Sequence, residues 1–275
     1  MAEYKIFASD LDGTMLDKNA RLSRENIEAI KKICKTGAHF IPVTGRAYSE
    51  LPNEIKEMPE ISYIINSNGA SVYNTKTKTA HTTYIKADAI QKIIEITAKY
   101  ECLIGAHSDN RLLGSAKNGC EDVFDYYNIN RLYKEVMLPV LTPVDDIEQE
   151  LLSGTPAEML AIFFREQAEL EKCVNELKKI EGIAVTSSGG GNVEIIDASV
   201  NKGATLKNVA AVLGVKPSEI IAAGDNYNDI SLTYTAGLSL AVSNGVAELI
   251  KAADKTICSN EENVAAYVYK NFFEK

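Results

Sequence analysis

The chain has 275 residues, 45% of them hydrophobic and 24% charged, with a formal net charge of −9. That length suits one large domain or two of ordinary size, and the composition is that of a globular protein. The acidic balance argues against a nucleic-acid surface and against an anionic membrane, since both reward clustered Lys and Arg. The five cysteines (Cys34, Cys102, Cys120, Cys173 and Cys258) are scattered, and none falls in a C-x-x-C pair. Reduced, mostly buried thiols are therefore expected, not a disulfide framework or a structural zinc site. The opening MAEYKIFASD lacks a basic region followed by a long apolar run, and no stretch approaches the ~20 apolar residues of a membrane span. A cytoplasmic protein is expected.

In chain order, Tyr4 to Ser9 reads as a short buried strand, and Ser23 as the cap of a helix running to about Thr36. Ile27, Ile30, Ile33 and Cys34 fall at helical spacing, and Gly37 is a stop signal. "HFIPVT" is the next strand, and "AYSELPNEIKEM" is expected as a second, shorter helix. "SYIINSNGASVYN" predicts a strand, a turn at Asn68-Gly69 and another strand. This third alternates strand and helix, as a parallel sheet with crossover helices does. The last third alternates too, through "NKGATLKNVAAVLGV" (helix), "EIIAAGD" (strand), "YNDISLTYTA" (helix), "LSLAV" (strand), "AELIKAAD" (helix) and a closing helix in "EENVAAYVYKNFF". From about Tyr84 to Ser188 the pattern differs. Longer helical runs alternate there with strands such as "CLIGAHS" and "AEMLAIFF", and "SDN" at Ser108 to Asn110 reads as a hairpin turn. That mixture predicts a separate α+β domain inserted into the alternating one, with Asn118 to Pro156 its least legible part. "TKTKT" and "SSGGG" are the low-complexity patches, read as a hairpin turn and a hinge.

Four short stretches carry chemistry. In "KIFASDLDGTML" an apolar strand runs into Asp10 and Asp12, followed by Gly13 and Thr14. Residues two apart in extended chain point the same way, so both carboxylates can address one site at the end of the strand, where open α/β sheets bind ligands. An acidic turn capping a strand would look the same. "PVTGR" ends a strand on Thr44 and Gly45, whose hydroxyl and following N–H groups can receive a phosphate or simply cap a helix. "NKGATL" puts Lys202 at a helix N-terminus, which favours anions; the lysine is either solvated or paired with an anionic group. In "IIAAGDNYNDISL" a second strand ends on a carboxylate, Asp225, with Asn228 and Asp229 just beyond. Oxygen-only donors without His or Cys suit Mg²⁺.

Taken in order, "DLDGT", "VTGR", "VNKGATL" and "GDNYND" resemble the four motifs of the haloacid dehalogenase superfamily of phosphohydrolases. The insertion between the Thr and Lys motifs, together with "NSNGA" and "VEIIDASVNKG", is similar to the Cof-type branch. The resemblance implies an α/β fold: a Rossmann-like parallel-sheet core with helices on both faces (residues 1–84 and 189–275) and an inserted α+β cap domain (85–188) that selects substrate. It implies that Asp10 is the nucleophile, giving an aspartyl-phosphate, and that Asp12 is the general acid and then the general base. Mg²⁺ would be held by the Asp10 side chain, the Asp12 backbone carbonyl and Asp225, with Asp229 supporting that shell. Thr44, Gly45, Lys202 and Asn228 would hold the phosphoryl group. The implied activity is a Mg²⁺-dependent phosphatase acting on a small phosphorylated metabolite, with neither nucleic acid nor membrane as partner. A phosphotransferase or mutase using the same intermediate, and a non-catalytic phospho-ligand sensor, stay open. Tyr84, His107, Arg111, Arg131 and Lys134 are candidate selectors of the leaving group.

Overall fold

A computed structural model of the chain describes residues 4–187 and 191–274. The chain divides into two units: Met1–Gly45, Leu51–His81 and Asn201–Lys275 form the first, and Arg46–Glu50 with Thr82–Val200 the second.

The first unit is built on a five-stranded sheet in the order Lys255–Ile257, Leu238–Val242, Ile220–Gly224, Ile6–Ser9, His39–Pro42, every neighbouring pair parallel. Its central strands, Ile6–Ser9 and Ile220–Gly224, are buried at every residue, which is why they read as unbroken apolar runs and not as alternating ones. Ile6 and Ala8 pack with Ile41, Val43, Leu206 and Val209 on one face, beneath the helix Lys202–Val212. Phe7 turns to the other face, where its ring lies 5.4 Å from that of Phe40, and the helix Arg24–Lys35 packs beside the strand His39–Pro42. Ser23 caps that helix as expected, accepting from the Asn26 N–H at 3.0 Å, an interaction worth about 1 kcal/mol. Tyr63–Asn66 begins a small three-stranded sheet with Ser71–Asn74 and Thr79–Thr82, joined to the main sheet by a parallel bridge between Val43 and Ile65.

Three expected helices are shorter or less regular than the sequence suggests, among them "YNDISLTYTA", which forms a 3₁₀ turn, Tyr227–Asp229, and one helical turn, Ile230–Thr233. "AYSELPNEIKEM" yields a single 3₁₀ turn, Tyr48–Glu50, and one helical turn, Asn53–Lys56, because Pro52 has no N–H to continue the first into the second. The closing helix runs Val264–Val268 and then widens to a π-helical turn, Tyr269–Phe273.

The second unit carries a six-stranded sheet in the order Ile183–Thr186, Asn192–Asp197, Met159–Phe164, Cys102–Ser108, Arg111–Ser115, Leu141–Val144. It is antiparallel except at its last pair. The "SDN" turn closes a hairpin, with Asp109 and Asn110 at φ +48° and +66°, as a two-residue turn matched to strand twist requires. Helices Ala87–Thr97 and Gln167–Leu177 supply Ile90, Ile93, Ile94, Cys173 and Leu177 to a core against Ile104, Ala106, Leu160 and Ile162. The stretch the sequence left least legible holds two short helices, Glu121–Tyr126 and Arg131–Met137, the strand Leu141–Val144 and the helix Ile147–Leu152. Most of "SSGGG" lies outside the described residues. All five cysteines are free, but only Cys173 is fully buried; Cys120 is exposed and the others are half-buried, which corrects the expectation of mostly buried thiols. Among the described residues no helix is long and apolar enough to cross a membrane.

Candidate active site

Because the strands Ile6–Ser9 and Ile220–Gly224 are parallel neighbours, with Ser9 opposite Ala223, their carboxyl ends fall at the same edge of the sheet. Asp10 and Asp225 follow those ends directly, and the Asp10 N–H extends the ladder by donating to the Ala223 carbonyl at 3.0 Å. Asp229 arrives from the next turn. Its carboxylate accepts the backbone N–H groups of Asp225 at 3.0 Å and Asn226 at 3.1 Å, which folds the loop back on itself. Gly224 makes that fold possible, since a Cβ there would meet the Asp229 Cβ at 2.5 Å.

Lys202 enters from the N-terminus of its helix. Asn201 caps that helix by accepting from the Ala204 N–H at 2.8 Å. The lysine Nζ donates to Asp10 Oδ1 and to Asp229 Oδ1, both at 2.6 Å, and the side chain is only 1% exposed. A lysine at the positive end of a helix is thus held by two carboxylates in a dry environment. Burial works against its charge, but Asp10 and Asp229 outweigh burial and push its pKa above the usual lysine range.

The pKa values of Asp10 and Asp225 are raised as well, which for a carboxylate favours the neutral form. Burial raises the Asp10 pKa well above its ordinary value; Lys202 opposes this, and the charges of Asp229, Asp225 and Asp12 add to it. Asp225 is pushed up to about 7 by burial and by Asp229, against a hydrogen bond from the Thr14 hydroxyl at 2.9 Å and the Lys202 charge. Carboxylate oxygens of Asp10, Asp225 and Asp229 lie within 4.8 Å of one another. Gly13 leaves room for this crowding, since a Cβ there would come within 2.5 Å of Asp225 Oδ2. Crowded carboxylates, with the pKa values of Asp10 and Asp225 raised, and oxygen-only donors fit a hard divalent cation, which would favour the ionised forms of those two. Both oxygens of Asp229 are engaged, one by Lys202 and one by the backbone. Its geometry therefore suits supporting the group more than ligating directly.

The remaining sequence-predicted residues fall as follows. Asp12 is half-buried, and its charge is felt by both Asp10 and Asp225. Thr44 is buried at the end of the neighbouring strand, its N–H donating to the Ile65 carbonyl at 2.8 Å, and Gly45 follows it. Asn228 is half-buried and its amide Nδ2 donates to Asn68 Oδ1 at 3.0 Å. Two contributors were missed as site residues. Thr14 holds Asp225, and the Asn244 amide donates to the Gly13 carbonyl at 2.7 Å, fixing the turn after Asp12. Thr14 stood inside the first motif; Asn244 had no local signal.

The candidate selectors are diverse. His107 is buried and lies 3.3 Å from Glu50, while Arg111 is exposed. The Tyr84 hydroxyl donates to Asp109 at 2.7 Å, Arg131 pairs with Glu135 at 2.6 Å, and Lys134 pairs with Asp125.

Residues 7–268 match the haloacid dehalogenase-like hydrolase family. The 5-amino-6-(5-phospho-D-ribitylamino)uracil phosphatase YwtE of Bacillus subtilis (strain 168) is 30% identical over 276 residues, covering 96% of this chain and 96% of that protein. Among solved structures, a haloacid dehalogenase-like hydrolase from B. subtilis aligns with a TM-score of 0.87 at 22% identity, over 98% of this chain and 100% of that one. BT1666 of Bacteroides thetaiotaomicron, described among phosphatases of the haloalkanoate enzyme superfamily, aligns with a TM-score of 0.79 at 26% identity, over 98% and 96%. The chain belongs to the haloacid dehalogenase-like hydrolases, in their Cof-type branch. It is a hydrolase with the α/β fold of that family.

Proposed function

We propose that this hydrolase is a Mg²⁺-dependent phosphatase that cleaves a small phosphate monoester through an aspartyl-phosphate on Asp10. The observation that carries this reading is the buried Lys202 bridging Asp10 and Asp229 at 2.6 Å, beside Asp225, at the carboxyl edge of a parallel sheet. Lys202 holds Asp10 in one rotamer and supplies positive charge where an incoming phosphoryl group brings negative charge. An oxygen of Asp10 attacks phosphorus as the ester P–O bond breaks, and Asp12 gives its proton to the departing alkoxide oxygen. Asp12, now a base, takes a proton from water; the water oxygen attacks the same phosphorus and the Asp10–phosphate bond breaks, releasing inorganic phosphate. Thr44, Gly45 and Asn228 orient the phosphoryl oxygens. Mg²⁺ held by Asp10, the Asp12 carbonyl and Asp225 would supply the charge that offsets carboxylate–phosphate repulsion.

The similarity to a phosphatase of a phosphoribityl compound points to a sugar or polyol monophosphate as substrate. Such an ester leaves as a poor alkoxide, which is why a dedicated acid such as Asp12 is needed. The second unit acts as the cap domain that chooses the alcohol, and the reaction takes place in the cytoplasm.

The test is phosphate release from a panel of sugar, polyol and nucleotide monophosphates with Mg²⁺. Removing the metal with EDTA should abolish turnover. Asp10→Asn should lower it by ~10⁴-fold or more with the fold intact. Turnover retained in that variant would overturn the reading.

A further inference from the structure

The three residues Ser67, Asn68 and Gly69 all have positive φ (+49°, +54° and +97°), and none of them takes part in the chemistry described above. For Ser and Asn this conformation is strained and persists only when the surroundings enforce it. The surroundings are the site's own elements. The Asn68 N–H donates to the Thr44 carbonyl at 3.0 Å. The Gly69 carbonyl accepts from Thr205 Oγ1, in the Lys202 helix, at 2.8 Å. Gly69 also presses on the start of that helix: a Cβ there would meet the Asn201 carbonyl at 2.5 Å. One left-handed turn thus touches the Thr44 loop and the Lys202 helix at once.

Asn68 itself is 1% exposed, and its amide faces two more site residues. Its Oδ1 accepts the Nδ2–H of Asn228 at 3.0 Å. The same oxygen would lie 3.1 Å from a Cβ at position 45, so a side chain there would displace the Asn68 amide by a few tenths of an ångström. An asparagine amide rotated by half a turn exchanges its donor for its acceptor. A free Asn228 could present either its N–H or its carbonyl oxygen to a phosphoryl oxygen, and the second contact is repulsive.

We propose that Asn68 is a positioning residue that fixes the rotation of the Asn228 amide. It accepts one of the two Nδ2 hydrogens and leaves the other available to a phosphoryl oxygen. This rests on the reading of Asn228 as a phosphoryl contact in the proposed function. The left-handed turn is how the chain delivers an acceptor to that spot, beside Gly45 and against the Lys202 helix.

The experiment is a double-mutant cycle on phosphate-ester hydrolysis. Asn68→Gly removes the amide and keeps the backbone, because glycine adopts positive φ without strain. We expect kcat/KM to fall ~5–10-fold in Asn68→Gly, the size of one lost orienting hydrogen bond, with thermal unfolding little changed. Asn228→Ala should fall at least as far, and the double variant no further than Asn228→Ala alone. A merely structural role for Asn68 would instead multiply the two defects, and that result overturns the proposal, as does wild-type kcat/KM in Asn68→Gly. Asp10→Asn assayed in parallel separates the levels. Turnover retained there sinks the phosphatase reading itself, whereas an inactive Asp10→Asn beside multiplicative Asn68 and Asn228 defects sinks the positioning role alone.

Discussion

Each unit of the molecule buries an ionisable base against carboxylate, and the two solve the problem in opposite ways. In the first, Lys202 sits between Asp10 and Asp229 at 2.6 Å from each, and these two acids keep it charged despite burial. In the second, His107 lies 3.3 Å from Glu50, and burial pushes its pKa down to about 3, so the imidazole is neutral. Glu50 does not depend on a charged imidazole; its carboxylate also accepts the Ala47 N–H at 2.6 Å. A buried charge persists where opposite charges converge on it, and gives way to a neutral hydrogen-bonded form where N–H donors suffice. The first arrangement gathers the carboxylates of Asp10, Asp225 and Asp229 around one lysine. The second ties the Tyr48–Glu50 turn to the strand Cys102–Ser108.

Substitution of Lys202 has the largest expected effect. Lys202→Met should lower stability by about 3–5 kcal/mol, because Asp10 and Asp229 would be left buried without their counter-charge. It should also remove turnover, since in the proposed mechanism Lys202 is the fixed cation for the phosphoryl group. Urea unfolding at pH 7.5 checks the first, and an unchanged midpoint would show that the pair is not held as described.

The histidine is tested by pH. Its folded pKa of about 3 lies below the unfolded value near 6.5, so the unfolded chain binds the extra proton. Stability from keeping His107 neutral is therefore complete above about pH 6.5 and is lost as pH falls from there, by at most ~1.4 kcal/mol per pH unit. Other carboxylates titrate over the same range, so the readout is the difference between wild type and His107→Gln, which retains an N–H donor. Wild type should lose its advantage between pH 6.5 and 4.5. A difference that stays constant would mean the imidazole is not a buried neutral group.

Glycines give the smallest contrast. Gly13 and Gly154 both have positive φ, +74° and +108°, but a Cβ at 13 would strike Asp225 whereas one at 154 meets nothing within 4 Å. Gly154→Ala should cost ~1 kcal/mol of stability and no activity. Gly13→Ala should cost at least as much stability and, by displacing Asp225, lower kcat/KM ~10-fold. Equal activities would remove Gly13 from the site.

Much of this was legible in one dimension because the chemistry lies where secondary structure changes. Asp10, Thr44 and Asp225 each end an apolar strand run, and parallel strands bring their ends to one edge whatever the distance in sequence. Lys202 stood out for the opposite reason, as a positive charge at the wrong end of a helix dipole. The helices at Tyr48–Glu50 and Asn53–Lys56 were overread because the apolar spacing persists across Pro52 while the hydrogen-bond chain cannot. Asn118 to Pro156 was opaque since its helices are too short to show a period.

The class of fold and the candidate site residues were legible in periodicity and strand-end chemistry, and the family in the resemblance of four motifs taken in order. Three-dimensional contacts were needed to show that Lys202 is buried between two acids, that both oxygens of Asp229 are engaged, that His107 pairs with Glu50, and that Asn68 meets Asn228 across 160 residues. Those are contacts between distant segments. Local sequence fixes what a residue can do, while burial and its partners fix its charge and direction.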